Sequence, residues 1–141
     1  MARFLTNSPE ETESIGEKLS KKLVGGEVIA FKGGMGMGKT VFTRGLARGL
    51  GIERGVSSPT FAIVKEYSGS LTVYHFDMYR ISGGDDLYSC GFFDYLDGES
   101  VMMIEWSENI EEYLPENSIK ISISRGENEN ERIIEIDGIE L

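Results

Sequence analysis

Gly33-Gly34-Met35-Gly36-Met37-Gly38-Lys39-Thr40 matches G-x-x-x-x-G-K-[ST] at every position, and its neighbours supply the setting that this pattern requires. Val28-Ile29-Ala30-Phe31 before it reads as a buried strand, and Val41 to Leu50 after it reads as a helix. Four glycines in six positions let the backbone wrap with its N–H groups turned inward. The result is a concave anion nest, reinforced by the N-terminus of the helix that follows. Lys39 can then reach the β- and γ-phosphates of a nucleotide, while the Thr40 hydroxyl is placed as one ligand of Mg²⁺, a hard cation that prefers oxygen. A plain glycine linker between strand and helix would explain Gly33, Gly34, Gly36 and Gly38, but not the adjacent Lys-Thr pair. Met35 and Met37 lie within the loop and shield it.

Working outward, Ser8-Pro9-Glu10-Glu11 offers a cap, a proline at the first helical position and a glutamate three after the cap, which together start a helix. That helix is expected to run to about Val24. Ile15, Leu19 and Leu23 recur four apart on its core face, and Gly25-Gly26 stops it. Phe42, Leu46 and Leu50 repeat the spacing after the phosphate loop, and Gly51 ends that helix. Phe61 to Tyr67 and Leu71 to Phe76 read as the arms of a hairpin turned at Ser68-Gly69-Ser70. Asp85 to Leu96 reads as a helix interrupted at Gly91, and Val101 to Ile104 as an apolar central strand. Ile119 to Ser124 and Arg132 to Ile136 alternate as a terminal hairpin. Hairpins beside the parallel strands of a phosphate loop imply an α/β fold of P-loop NTPase-like type, three layers α/β/α about a mixed parallel and antiparallel sheet.

The 141 residues fit one domain, 1–141, without a separate substrate domain. A net charge of −10 and a pI near 4.6 argue against nucleic-acid binding through the chain's own field, so contact with RNA is expected through a partner. Lys18, Lys21 and Lys22 form a local basic stretch that reads as a solvated helix face. A lone cysteine, Cys90, excludes an intrachain disulfide and a cysteine-based zinc site. The residues Met1 to Asn7 lack the apolar core of a signal peptide, and no apolar run approaches membrane-spanning length, so a cytoplasmic protein is expected.

A nucleotide-hydrolysing site also needs an acid at the end of a second apolar strand. Glu105, directly after Val101-Met102-Met103-Ile104, fills that position. Asp77 ends the strand Val73 to Phe76, where it reads equally as a general base or metal partner and as a turn residue paired with Arg80. Thr60 sits in the loop Gly55 to Thr60, where some related nucleotide hydrolases carry a switch threonine that senses the γ-phosphate and Mg²⁺; otherwise it reads as a surface loop threonine. His75, the lone histidine, reads as a packed, hydrogen-bonded strand residue. Trp106 would cover the nucleotide or anchor the strand end. The residues alone leave three readings open: an ATPase, a small-molecule kinase, and a nucleotide-dependent switch with little hydrolysis.

The motifs in order, Gly33 to Thr40, Ser58-Pro59-Thr60-Phe61, His75-Phe76-Asp77-Met78-Tyr79-Arg80 and Ile104-Glu105-Trp106, resemble those of the tRNA threonylcarbamoyladenosine biosynthesis ATPases, the TsaE or YjeE family. The resemblance spans Thr12 to Arg132. It implies a bacterial cytoplasmic ATPase that works with the TsaD and TsaB proteins to place threonylcarbamoyl on adenosine 37 of tRNA. Hydrolysis would reset the complex between turnovers. It further implies that Lys39 and the loop bind phosphates, that Thr40 and Glu105 bind Mg²⁺, and that Asp77 supports hydrolysis. Thr60 would lie on a switch-like loop near Trp106, and Thr12 and Arg132 match positions at the nucleotide's base end. The family usually has an acid in place of Gly34, Leu and Ala in place of Met35 and Met37, and Pro in place of Ser107. These departures bear on rate and affinity, since none removes a phosphate or metal ligand.

Overall fold

Strands buried on both faces carry continuous apolar runs, and two such strands, Val28–Phe31 and Val101–Glu105, the second apolar up to its closing glutamate, lie side by side at the centre of this fold. The computed structural model describes residues 1–32, 38–52 and 64–141. Within them the strands are β1 (Ala2–Thr6), β2 (Val28–Phe31), β3 (Val64–Ser68), β4 (Thr72–Asp77), β5 (Val101–Glu105), β6 (Ile119–Arg125) and β7 (Arg132–Asp137). They form one sheet in the order β1-β7-β6-β2-β5-β4-β3. The middle pairs β6–β2, β2–β5 and β5–β4 are parallel, while β3, β7 and β1 join antiparallel. The sheet is mixed, as the two hairpins require.

Helices cover both faces. On one lie α1 (Pro9–Ser20) and α2 (Lys39–Gly49), which bury Ile15, Leu19, Phe42 and Leu46 against Ile29, Phe31, Met103 and Ile121. On the other lie α3 (Gly84–Cys90) and the 3-10 segments Phe92–Tyr95 and Ser107–Tyr113. There Leu87, Phe92 and Ile110 pack on Val28, Phe76, Met102 and Ile104. Each such side chain is worth about 1.5–3 kcal/mol of transfer from water.

The α1–α2 contact is close because of glycine. A Cβ at Gly45 would lie 2.7 Å from the carbonyl carbon of Glu13, and one at Gly16 would lie 2.9 Å from the amide nitrogen of Leu46. Backbone therefore meets backbone, and Arg48 of α2 reaches across to Glu13 and Glu17 of α1.

Most expected elements are present with shifted ends. The first helix stops at Ser20 rather than about Val24, because Lys22 N–H donates to Leu19 O and Leu23 N–H to Ser20 O, tightening the chain into a turn. Leu23 is buried all the same. Its start is as read: the Ser8 hydroxyl accepts from Glu11 N–H at 3.2 Å, and Asn7 N–H donates to the Glu11 carboxylate at 3.0 Å. Gly91 breaks the third helix with φ 77°. β1 was not anticipated; it is a short edge strand, held in register by β7 from Ala2↔Ile136 to Thr6↔Arg132.

Candidate nucleotide site

The parallel strands β2, β4 and β5 end at one edge of the sheet, and α2 starts there. Such an edge is where open α/β sheets gather ligands. Gly33 to Met37 of the glycine loop, and Thr60 with its loop, lie outside the described residues. The loop's last residue, Gly38, precedes α2 with φ 90°, a left-handed conformation that favours glycine. A Cβ on it would lie 3.5 Å from Arg132 Cγ, so the start of β7 stands directly against the start of α2.

Lys39 opens α2 and is only 8% exposed. Burial pushes its ammonium below the ordinary lysine range, and the carboxylates of Glu105 and Glu108 pull partly the other way. A dehydrated ammonium beside acids is ready to exchange its partners for phosphate oxygens. Thr40 follows, half-buried.

Glu105 closes β5 at 5% exposure, opposite Asp77 in the β4–β5 register. Its carboxylate Oε2 lies 3.1 Å from His75 Nε2, and its backbone carbonyl accepts from Met78 N–H at 3.0 Å. Asp77 is half-buried, and its Oδ1 accepts from Tyr79 N–H at 3.0 Å, an Asx-type turn. The pairing with Arg80 that the sequence left open is not formed among the described residues; Arg80 is exposed.

Trp106 continues from Glu105 with φ 59° and ψ 41°, the one non-glycine at positive φ among the described residues. That conformation costs an L-residue about 1–2 kcal/mol. Its ring packs against exposed Tyr79 with centroids 5.0 Å apart and planes inclined at 56°, and Asn109 Nδ2 donates to Met78 O at 2.9 Å. The segments after β4 and β5 are thus laced to each other beside the two acids.

At the other flank, Pro9, Thr12, Gly38, Val41, Asn130 and Arg132 line a cavity of about 50 Å³. The structure thereby gathers Thr12, Gly38 and Arg132, which lie far apart in sequence. Thr12 is 1% exposed and its hydroxyl bonds the Thr6 hydroxyl at 2.7 Å, so that oxygen is engaged within the fold. Arg132 Nη1 donates to the carbonyls of Glu129 and Glu131, while its buried Nε has no hydrogen-bond partner among the described residues.

No cluster of three or more His, Cys, Asp or Glu comes together among the described residues. Mg²⁺ accompanying a nucleotide needs no such cage, since phosphates and water supply most of its ligands. Glu105, Asp77 and Thr40 are hard oxygen donors at or near the one strand edge, and that donor set fits the ion. No helix among the described residues is long and apolar enough to cross a membrane.

A parallel strand running toward a left-handed glycine, a buried lysine at the helix start and an acid closing the neighbouring strand define an α/β protein of P-loop NTPase-like fold. Within that class the family model described as "Threonylcarbamoyl adenosine biosynthesis protein TsaE" matches residues 6–134, and the chain belongs to the TsaE family. It is 43% identical over 131 residues to the TsaE protein of Bacillus subtilis, covering 92% of this chain and 82% of that one. It is 37% identical over 121 residues to the TsaE protein of Treponema pallidum, covering 86% and 90%. The crystal structure of Bacillus subtilis YdiB superposes with a TM-score of 0.74 at 40% identity, covering 94% of this chain and 82% of that one. The family read from the four motifs is the family found, and membership places the chain among threonylcarbamoyladenosine biosynthesis proteins.

Sequence reasoning missed two participants. Glu108 acts on Lys39 from three residues beyond Glu105, and a turn at Trp106 is what brings it back. His75 was read as packed and hydrogen-bonded, without a partner. Its position two before Asp77, in a strand paired so that Asp77 faces Glu105, was the signal that the partner is Glu105.

Proposed function

We propose that this chain is a Mg²⁺-dependent ATPase of N6-threonylcarbamoyladenosine (t6A37) modification of tRNA. It acts in the cytoplasm as a single 1–141 domain with the TsaD–TsaB complex, supports multiple turnover of that complex, and meets tRNA only through it. The observation that carries the reading is Lys39, buried at the start of α2 with Glu105 and Glu108 acting on its charge. An ammonium already stripped of water loses little more on meeting a phosphate, and its charge acts through less screening solvent.

In this reading Gly33 to Thr40 cradle the phosphates, with Lys39 on the β- and γ-groups. Thr40 and Glu105 would hold Mg²⁺, which would supply neutralising charge to the reacting phosphates. Asp77, opposite Glu105, orients the attacking water. Thr60 senses the γ-phosphate from its loop, and Trp106 shields the acids. Arg132 and Thr12 border the nucleotide's base end, Thr12 through its place in α1, since its hydroxyl is committed to Thr6.

Two measurements test this together: ATP hydrolysis by the chain with TsaD and TsaB, and multiple-turnover tRNA modification reconstituted with and without it. Glu105→Gln and Asp77→Asn should each cut hydrolysis at least tenfold, about 1.4 kcal/mol of barrier. Normal hydrolysis by Glu105→Gln would remove its metal role. A phosphorylated acceptor formed faster than free phosphate would make the protein a kinase, and full multiple turnover without the chain would end the pathway role.

A further inference from the structure

The α1–α2 face of β4 and β5 carries Val73, His75, Asp77, Val101, Met103 and Glu105. Toward the strand ends this face turns from apolar to ionisable, and the change falls at a buried pair. His75 is 4% exposed and Glu105 5%. The imidazole Nε2 stands 3.1 Å from Glu105 Oε2, while its Nδ1 is buried with no hydrogen-bond partner among the described residues.

The orphaned nitrogen assigns the tautomer. A hydrogen on Nδ1 would be a buried donor with no acceptor, whereas a bare Nδ1 is only an unfilled acceptor. The hydrogen belongs on Nε2, which donates it to the Glu105 carboxylate. Burying both groups costs free energy that apolar residues at these positions would not incur. What the pair supplies in return is a carboxylate with one oxygen fixed in direction, on a ring whose edge rests near Tyr67, centroids 6.4 Å apart. Hydrogen bonds of this kind orient metal-binding side chains from behind.

We propose that His75 is a positioning residue: its Nε2–H fixes the Glu105 carboxylate in the orientation that meets nucleotide-borne Mg²⁺. This rests on the metal role of Glu105 proposed above. His75 itself need not touch nucleotide or metal.

The test is the Mg²⁺ dependence of equilibrium binding of a fluorescent, non-hydrolysable ATP analogue to the full chain, with thermal melts as a check on folding. Parent, His75→Gln, His75→Asn, His75→Phe and Glu105→Gln are compared. The glutamine amide nitrogen can stand where Nε2 stands, the asparagine nitrogen falls short, and phenylalanine keeps the packing without a donor. Binding without Mg²⁺ should be alike in the parent and the three His75 variants. The Mg²⁺ concentration for half-maximal tightening should rise about tenfold or more in His75→Phe and His75→Asn, while His75→Gln stays within about threefold of parent.

A role in packing alone predicts the reverse order, with phenylalanine the best tolerated. A parental half-point in His75→Phe, or a glutamine variant as impaired as the phenylalanine one, overturns the proposal. If His75→Phe does not fold, the glutamine and asparagine variants decide by the same criterion. An unshifted Glu105→Gln removes the metal role of Glu105 and this inference with it. A shifted Glu105→Gln beside an unshifted His75→Phe removes only the role of His75.

Discussion

Replacing Gly45 by alanine should break the seat of α2 on α1. The added Cβ would stand 2.7 Å from the carbonyl carbon of Glu13 and 3.0 Å from its Cα, with the carbonyl oxygen nearer still. Carbon atoms pack at about 3.5–4.0 Å, so the helices must part by roughly 1 Å, and backbone on both sides leaves no side chain to swing away. Overpacking of this kind costs about 1–3 kcal/mol and more where nothing yields. A helical alanine returns about 1 kcal/mol over glycine. Taking the upper end, the net loss is about 2 kcal/mol. With roughly 2.1 cal/mol/K of unfolding entropy per residue over 141 residues, that lowers Tm by about 7 °C. Circular-dichroism melts and urea titrations read it directly. Gly83→Ala is the control, since a Cβ there meets nothing within 4 Å and its φ of 171° suits any residue. It should stay within about 1 kcal/mol of parent. A Gly45→Ala protein melting within 2–3 °C of the parent, or above it, would show that α1 and α2 are not locked by backbone contact. Parting the helices also draws Thr12 away from Gly38, so nucleotide affinity should fall with stability.

Lys39→Met should raise the Tm of nucleotide-free protein at pH 7 while abolishing nucleotide binding. Its folded pKa lies below the unfolded one, so the unfolded chain binds more protons between the two values and parent stability climbs with pH through that window. The advantage of Lys39→Met should therefore shrink as pH approaches the ordinary lysine value; a variant less stable than parent at pH 7 would refute the sign. Thr12→Val should cost about 1–3 kcal/mol by stranding the buried Thr6 hydroxyl, and Thr6→Val in the same chain should recover much of it, as a double-mutant cycle would show. If the double variant is as unstable as the sum of the singles, the two hydroxyls are not coupled.

The glycine-Lys-Thr run was legible because a phosphate nest needs those residue types in that order, and helix and strand periodicities around it were strong enough to give the mixed sheet. Glu105 was legible for the same reason, as an acid ending an apolar strand. What the residues could not say was which acids meet. The pairing of Asp77 with Glu105 and the approach of His75 depend on the parallel β4–β5 register, a contact between segments joined by α3 and two turns. β1 escaped because Ala2 to Thr6 has neither length nor a full apolar face, and only β7 beside it makes it a strand. Thr12 entered only through the family resemblance; its hydrogen-bond partner, Thr6, lies in that same unexpected strand.

β2 gains hydrogen-bonded neighbours only from β5 and β6, which lie far downstream in the chain. On a ribosome, Val28-Ile29-Ala30-Phe31 therefore emerges long before either flank can be covered, while the β3–β4 and β6–β7 hairpins can close locally as they appear. Folding must wait for late, long-range pairing around a segment whose four side chains are all apolar, the kind of stretch that seeds association between nascent chains. Glu27 and Lys32 bracket it with opposite charges. Those charges cancel and would attract across an antiparallel pair of copies, so they give no protection, and only pairing with β5 and β6 removes the hazard.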